Sequence, residues 1–324
     1  MMNKMKVVFC GTPEIAAGIL QQLIAMDDVE ILATISQPNK PVGRKKVLTP
    51  TAVKTVSDEN QIRCFQPTKI SEIYDDLKQL DFDFLITCAY GQFIPTKILN
   101  LAKVEPLNVH GSLLPQYRGG APIQRAIING DKTTGVSLMR MVKQMDAGDV
   151  FAELECVIED KDTSGTLFKK IEILGQKIIK DNLLKIYNHE IEPIPQESKF
   201  VTFAPIITSE EENIDWTKSA IDIFNLTRGL LPTPVAHTFM NHERYKIGAT
   251  RVMKENEYFV TTMMVHNPGE ILSIDNEGII IQTGNGFLKI LELQRPGKKM
   301  QPANIYYNNH NLNDIKVGAR FDTI

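Results

Sequence analysis

Two polar clusters in the chain contain the residue types best suited to acid–base and oxyanion chemistry. Asn108 and His110 lie two positions apart at the end of a short apolar run that is typical of a strand. Residues two apart in a strand point to the same face, so an amide donor and an imidazole are presented side by side. Asp146 follows a second strand-like stretch, from Thr134 to Val142. An amide, an imidazole and a carboxylate can stabilise an oxyanion and move a proton, so these three residues form a candidate catalytic set.

Each cluster also has a purely structural interpretation. For either one alone, a capped turn with a hydrogen-bonded histidine is the more common arrangement. Both clusters, however, follow strands that we expect in one parallel sheet, and ligands bind beyond the carboxyl ends of such strands. We therefore expect Asn108, His110 and Asp146 to converge at the ends of parallel strands, which favours catalysis.

Two other kinds of site are disfavoured. Gly11-Thr12-Pro13 follows the first strand, but Pro13 stands where a dinucleotide fingerprint needs its second glycine. A tight strand-to-helix turn explains these residues better than a nicotinamide site does. No histidine and cysteine cluster has the spacing of metal ligands, so we expect no metal.

The elements that must position these residues alternate between strand and helix in the first half of the chain. Such alternation predicts a mostly parallel, Rossmann-like sheet that is covered on both faces. The predicted strands are Lys6–Cys10, Val29–Ser36, Phe82–Tyr90, Pro106–Gly111 and Thr134–Val142. The predicted helices run from Pro13 to Met26, from Ser71 to Leu80, from Ala121 to Asn129 and from about Asp162 to Tyr187.

The pattern changes in the second half. Residues after Glu192 are rich in proline and polar side chains and predict a linker to about Pro205. After a helix from Ser219 to Arg228, short strands broken by glycine turns predict a small antiparallel β-barrel. We expect a catalytic domain over 1–190, a linker over 191–207 and a barrel over 208–324. Trp216 is expected to pack in the barrel or linker.

Composition limits the class of protein. Hydrophobic residues make up 43% and charged residues 23%, which is ordinary for a globular protein. The net charge is -3, so any contact with nucleic acid requires a local basic patch. Four cysteines without a CxxC pair, no signal-peptide pattern and no apolar run of about 20 residues predict a cytoplasmic protein with reduced thiols and no membrane span.

Several motifs resemble those of the folate-dependent formyltransferases. The most specific is NVHGSLLPQYRGGAPI, from Asn108 to Ile123, and DAGD, from Asp146 to Asp149, continues the match. DTSGTL, from Asp162 to Leu167, belongs to the same pattern. NIDW, from Asn213, and LELQRPGKK, from Leu291, resemble the branch of this family that acts on charged initiator tRNA.

The resemblance implies a reaction and a set of substrates. The donor is 10-formyltetrahydrofolate, and the acceptor is initiator methionyl-tRNA. Asn108 and protonated His110 donate hydrogen bonds to the oxyanion, while Asp146 orients His110. The second domain resembles an OB-fold, and the protein is expected to act as a monomer. The residues implied to border the folate are Ser112, Leu113, Leu114, Pro115, Tyr90, Gly91, Gln92, Phe93 and Ile94.

A basic loop offers a local patch for tRNA. The segment from Gln37 to Pro50 has four basic residues within seven positions, and the resemblance implies that it contacts the acceptor end of the tRNA. A mobile solvated loop is the alternative. A smaller basic cluster follows Gln294. The candidate tRNA contacts are Lys40, Arg44, Lys45, Lys46, Arg295, Lys298 and Lys299.

Three alternatives remain open at this point. The chain could formylate glycinamide ribonucleotide or an amino sugar, although those relatives lack this combination of basic loop and barrel. It could hydrolyse the formyl-folate, with water replacing the amine. It could also bind tRNA without catalysis, an interpretation that the intact polar set disfavours.

Overall fold

The computed structural model describes residues 4–43, 45–254, 266–307 and 314–322. These residues form two compact units. The first comprises residues 1–122, 133–157 and 168–205, and the second comprises residues 123–132, 158–167 and 206–324. Residues 191–205, for which the sequence predicted a linker, thus group with the first unit.

A seven-stranded sheet forms the centre of the first unit, in the order β5-β2-β1-β6-β7-β8-β9. Its strands are β1 (Met5–Gly11), β2 (Val29–Ile35), β5 (Cys64–Phe65), β6 (Phe84–Cys88), β7 (Glu105–His110), β8 (Thr133–Arg140) and β9 (Val150–Val157), and a separate hairpin contains β3 (Lys40–Val42) and β4 (Val47–Thr49).

The sheet is parallel from β5 to β7 and antiparallel from β7 to β9. The prediction of a mostly parallel Rossmann-like sheet is therefore confirmed, but the strand that begins near Thr134 does not run parallel to its neighbour. After the turn and helix that follow β7, β8 returns antiparallel along it, with Ser137 opposite His110. All five residues of β6 are buried, as expected for a strand covered on both faces.

The first helix of the chain begins directly after the turn at Gly11. Pro13 precedes the helix in an extended conformation and leaves the first turn without a side-chain cap. Thr51 caps the second helix by accepting a hydrogen bond from Lys54 N at 3.1 Å. The helices are α1 (Glu14–Ile24), α2 (Ala52–Glu59), α3 (Tyr74–Gln79), α4 (Thr96–Leu99), α5 (Pro122–Ile128) and α6 (Ser164–Tyr187), with 3-10 turns at Ile70–Ile73 and Ser198–Phe200.

The second unit contains two four-stranded antiparallel sheets around one core, which agrees with the predicted OB-like barrel. Trp216 is fully buried, stacks on Phe321 and donates to Thr238 Oγ1 at 2.9 Å, so it packs in the barrel as expected. The elements are α7 (Ala220–Gly229), β10 (His237–Met240), β11 (Glu243–Ile247), β12 (Thr250–Val252), β13 (Ile271–Ile274), β14 (Ile279–Gln282), β15 (Phe287–Ile290), β16 (Glu292–Gln294), β17 (Gln301–Pro302) and a 3-10 turn at Ala303–Tyr306.

None of the described helices combines the length and apolar composition needed to cross a membrane. The four cysteines all lie in the first unit and are free thiols. Burial raises the pKa of the Cys88 thiol to about 12 and that of Cys10 still further. Such thiols stay protonated at neutral pH, which agrees with a structural role.

A buried lysine links two acidic residues in the second unit. Lys289 Nζ lies 2.7 Å from both Asp275 Oδ2 and Glu277 Oε2. Burial alone raises the pKa of Asp275, but hydrogen bonds from Lys289 and from the backbone N–H groups of residues 277 and 278 outweigh it, and the net shift is downward. The pKa of Glu277 is also lowered, mainly by its hydrogen bond from Lys289.

Replacing Lys289 by methionine is expected to weaken the acid dependence of stability. A lowered carboxylate pKa adds stability above the unfolded value of about 4, and that stability is lost as the pH falls through the folded value. The variant should lose less unfolding free energy than wild type between about pH 5 and pH 3, and solvent screening of the exposed carboxylates keeps this difference small. Denaturation followed by the fluorescence of Trp216, the single tryptophan, measures this. Parallel pH curves for the two proteins would contradict the expectation.

Candidate active site

The site begins where the neighbouring strands β6 and β7 run parallel and end at the same edge. Thr87 lies opposite Asn108 in the register, and the Thr87 hydroxyl donates to Asn108 Oδ1 at 2.7 Å. Accepting this bond with its oxygen turns the Asn108 amide nitrogen away from Thr87. Among the described residues, no hydrogen bond engages that nitrogen, so it remains a donor for a substrate oxygen.

Replacing Thr87 by valine tests this support for Asn108. The change keeps the shape of a buried side chain and removes only its hydroxyl. Asn108 Oδ1 then lacks its partner, and the amide can rotate, so we expect formyl transfer to slow by about 10-fold, equivalent to one lost hydrogen bond. Single-turnover kinetics at saturating donor measure the effect. An unchanged rate with a correctly folded variant would show that Thr87 does not hold the amide.

His110 is held in place through one ring nitrogen. Its side chain is buried, with 6% of its surface exposed. Nε2 lies 2.9 Å from Tyr117 O, and because a carbonyl only accepts, Nε2 carries the hydrogen. Nδ1 faces Asp146 Oδ2 at 3.7 Å, an ion-pair distance that is too long for a hydrogen bond. The other nitrogen, Nδ1, is therefore the one free to exchange a proton.

Asp146 reaches His110 by a different route from the one that the sequence predicted. We expected its strand to end beside the ends of parallel strands, but β8 is antiparallel to β7 and ends at the opposite edge of the sheet. Asp146 instead lies in the connection from β8 to β9, in a left-handed conformation with φ of 50°. Its Oδ2 accepts a hydrogen bond from Gly119 N at 2.9 Å. The predicted set does converge, but through a folded connection rather than through a strand tip.

Two glycines allow this connection to pack. A Cβ at Gly148 would lie 2.0 Å from Arg140 O, so the connection can approach β8 this closely only without a side chain. Gly119 has a φ of +127°, and a Cβ there would lie 2.6 Å from Ala204 O. Both glycines come from the recognised motifs, and both are required by close backbone contacts.

The Ser112–Pro115 turn follows the end of β7 and is stabilised by hydrogen bonds of two buried serine side chains. Ser112 is fully buried and donates to Gln116 O at 2.7 Å. Ser137 accepts from Leu114 N at 3.0 Å and lies 2.8 Å from Ser112 O. Leu114 is buried, with 7% of its surface exposed, so it anchors the turn, whereas Leu113 and Pro115 are partly exposed. The side chain of Ser112 also serves the turn, which leaves Leu113 and Pro115 as the better candidates for ligand contact.

The Tyr90–Ile94 loop leaves the same sheet edge, after β6, but its side chains differ in role. The side chains of Tyr90 and Ile94 lie in the hydrophobic core, where burial raises the pKa of the Tyr90 phenol. Gln92 is engaged with the backbone, accepting from Ile70 N and donating to Pro67 O. Phe93 is 63% exposed, and Gly91 has no side chain. Phe93 and Gly91 are therefore the members of this loop placed to contact a ligand.

The basic loop forms the β3–β4 hairpin, which sequence inspection had not predicted. Lys40, Lys45 and Lys46 are exposed. Arg44, the key candidate of the loop, lies outside the described residues. Val47 and Leu48 on the returning strand are 59% and 64% exposed. The hairpin thus presents cations together with exposed apolar side chains.

The second basic cluster is divided between two roles. Arg295 Nη2 lies 2.7 Å from Asp314 Oδ2. Burial lowers the pKa of Arg295, but the bond to Asp314 outweighs this effect and raises it. Lys298 and Lys299 are exposed. Arg295 therefore stabilises the barrel, and the two lysines remain available to an anionic partner.

Comparison with known proteins assigns the chain to a family. A model described as Formyl transferase matches residues 4–183, and one described as Formyl transferase, C-terminal domain, matches residues 206–311. The chain belongs to the formyl transferase family. Among the described residues of this formyl transferase, no group of three or more histidine, cysteine or acidic side chains is placed to hold a metal ion.

Full-length relatives place this formyl transferase among the methionyl-tRNA formyltransferases. The Mesoplasma florum protein of that name is 51% identical over 321 residues, which cover 99% of this chain and 100% of the relative. A Streptococcus pneumoniae protein of the same name is 41% identical over 318 residues, covering 98% and 99% of the two chains. The similarity therefore includes both the catalytic motifs and the barrel.

Solved structures of more distant proteins share the fold. HypX from Aquifex aeolicus, in complex with tetrahydrofolic acid, matches with a TM-score of 0.65 and 14% identity, over 99% of this formyl transferase and 51% of HypX. An N-formyltransferase from Helicobacter canadensis, in complex with folinic acid and dTDP-3-aminofucose, matches with a TM-score of 0.66 and 19% identity, over 88% and 98% of the two chains.

Proposed function

We propose that this enzyme transfers the formyl group of 10-formyltetrahydrofolate to the α-amino group of methionine on initiator methionyl-tRNA, for translation initiation. The full-length relatives support this acceptor. The observation that carries the catalytic assignment is the proximity of side chains from two separate segments: Asn108 and His110 on β7, and Asp146 at 3.7 Å from the imidazole.

The reaction requires few groups. The lone pair of the amine attacks the formyl carbon, a C–N bond forms, and the carbonyl electrons move to oxygen. The Asn108 amide N–H donates to this oxyanion, a contact that strengthens as charge develops. The tetrahedral intermediate then collapses, the bond from carbon to N10 of the folate breaks, and N10 takes up the proton that the amine has lost.

His110 moves that proton in this scheme. Its Nε2–H is committed to Tyr117 O, so Nδ1 accepts the proton of the attacking amine. The resulting imidazolium lies 3.7 Å from the Asp146 carboxylate, which offsets its charge inside a buried site. Nδ1 then gives the proton to N10 as the bond from carbon to N10 breaks. The sequence alone suggested a His110 that is protonated from the start; the hydrogen bond to Tyr117 O fits both forms of the ring, since each carries a hydrogen on Nε2.

The folate lies along the sheet edge in this proposal. The rigid Ser112–Pro115 turn and exposed Phe93 leave neighbouring parallel strands and offer apolar contact to a flat ring system. The basic hairpin, with Lys40, Lys45 and Lys46 exposed, contacts the tRNA backbone. We further propose that the enzyme works as a monomer in the cytoplasm, where initiator tRNA is used; sedimentation of the purified chain tests the first of these points.

A direct assay tests the acceptor. Donor folate labelled in the formyl group is supplied with, separately, charged initiator tRNA, charged elongator tRNA, glycinamide ribonucleotide, an amino sugar nucleotide and water alone. We expect label on the methionyl amine of the charged initiator tRNA and little elsewhere. Preferential labelling of a small amine, or release of labelled formate as the main product, would replace the proposal by one of the alternative reactions.

A further inference from the structure

The segment from 194 to 204, hereafter the strap, is fixed to the first unit at both ends. Ile194 exchanges backbone hydrogen bonds of 2.8 and 2.9 Å with Val150. Arg118 exchanges backbone hydrogen bonds of 2.9 and 2.7 Å with residues 202–204. This pairing gives the strap a defined path along the connection that contains the catalytic carboxylate.

A glutamine in the strap donates hydrogen bonds to the backbone of that connection. Gln196 Nε2 donates to Asp146 O at 2.9 Å and to Gly148 O at 2.6 Å. Gln196 Oε1 accepts from Nε and Nη2 of Arg118, at 3.0 and 2.7 Å. Since a guanidinium only donates and a carbonyl only accepts, chemistry determines the orientation of the amide. Arg118 is buried, with 9% of its surface exposed, and Gln196 is half-buried.

We propose that Gln196 is a positioning residue for formyl transfer, which holds the backbone on both sides of Ala147 so that the Asp146 carboxylate faces His110. The inference rests on the proposed function, because it acts through Asp146. The left-handed backbone of Asp146 is unfavourable for a residue with a side chain and needs outside support. The two donors of Gln196 supply that support at the carbonyls next to the strained residue.

The substitution Gln196→Glu tests this role sharply. A glutamate keeps the size of the side chain and an acceptor for Arg118. It replaces the amide nitrogen by an oxygen that repels the two carbonyls, so the connection should move while the Arg118 pair survives. Displacement of a catalytic group by about 1 Å can cost up to 10²-fold in rate, so we expect single-turnover transfer to slow by about 10- to 100-fold. The KM for charged tRNA should remain near the wild-type value.

A double-mutant cycle separates positioning from general structural damage. In the Asp146→Asn background, adding Gln196→Glu should slow transfer by less than about twofold, because the group that Gln196 positions is already impaired. Gln196→Met, which lacks the donors without adding charge, should show the same pattern. Gln176→Glu is the matched control: Gln176 is also half-buried and donates to Gly18 O, far from Asp146 in the chain, and its variant should keep the wild-type rate.

Three results would overturn the inference. Transfer at the wild-type rate by both Gln196 variants would show that its two hydrogen bonds to the connection are dispensable. Equal losses in the wild-type and Asp146→Asn backgrounds would assign Gln196 a structural role that is independent of the carboxylate. If the Asp146→Asn single variant were fully active, the proposed role of Asp146 would be wrong. The rate of that single variant therefore tests the proposed function separately from the role of Gln196.

Discussion

Alanine at Asn108 is expected to slow formyl transfer by about 10²–10³-fold, the usual loss when a donor to the developing oxyanion is removed. Alanine at His110 should slow it by about 10²–10⁴-fold, because the group that moves the proton is lost. Asp146→Ala should cost at least as much, because the buried imidazolium then lacks its counter-charge beside it. Folding should be little affected by Asn108→Ala, since this side chain is not fully buried. Single-turnover rates with bound folate and charged tRNA measure all three variants.

The DAGD motif supplies a matched control for this prediction. Asp149 lies three residues after Asp146 in the same connection, but it pairs with Arg140 Nη1 at 3.3 Å instead of facing His110. Arg140 also keeps a second partner, Glu105. Asp149→Asn should therefore leave the transfer rate nearly unchanged while Asp146→Asn lowers it strongly. Equal effects of the two changes, or near-normal rates for the three alanine variants, would contradict the proposed mechanism.

Removing Arg44 and Lys46 together is expected to lower activity on charged tRNA strongly and to leave folate binding intact. Each contact between a cation and a phosphate displaces counterions, and binding weakens with salt at a log–log slope of about -0.9 per contact on duplex nucleic acid. Losing these two cations should reduce the magnitude of the log–log slope of tRNA binding against salt by about one to two. Arg44 should matter more than Lys45, since a guanidinium can hold phosphate at two points.

A charge-matched variant controls for the overall field of the protein. Lys132 and Lys161 are exposed, with 79% and 82% of their side-chain surface accessible, and replacing both by alanine changes the net charge equally. That variant should retain the wild-type salt slope and activity. Normal formylation of charged tRNA at physiological salt by the Arg44 and Lys46 double variant would show that the hairpin is only a solvated surface feature.

Much of the fold follows from local patterns that tertiary packing does not override. The helix predicted from Ala121 to Asn129 is α5 (Pro122–Ile128), and the helix predicted from Ser219 ends within one residue of α7, with Ser219 as its cap. The parallel strands that end at His110 and at Cys88 were also recognised, because each is an apolar run that ends in a turn signal. These two strands position Asn108, His110 and the supporting Thr87.

The direction of β8 was not recognised, and one missed strand explains why. Val150–Val157 alternates apolar and polar residues after Glu153, but its first three residues do not alternate, and the pattern was not identified as a strand. Without β9, the DAGD segment looks like the end of a strand rather than the connection of a hairpin. Direction also depends on pairing between distant residues, which no short window of sequence contains.

The residues that support the catalytic set were harder still to predict. Thr87 stands in the middle of an apolar strand, where a threonine is ordinary, and its partner Asn108 is 21 positions away. Gln196 lies in a proline-rich polar stretch that is typical of linkers, and its contacts with Asp146 span 50 positions. Such roles depend on the three-dimensional path of the chain, and neither residue type nor spacing signals them.

The strap also limits where a gene fusion can join the first unit of this protein to a different second domain. A gene fusion that joined a new second domain after residue 190 would keep the sheet, the Ser112–Pro115 turn and the Asn108 and His110 pair. It would lose Gln196, and with it the two donors that hold the backbone beside Asp146. Recombination that preserves catalysis must therefore cross over after Ala204, so the transferable module is longer than the folded sheet and helices alone.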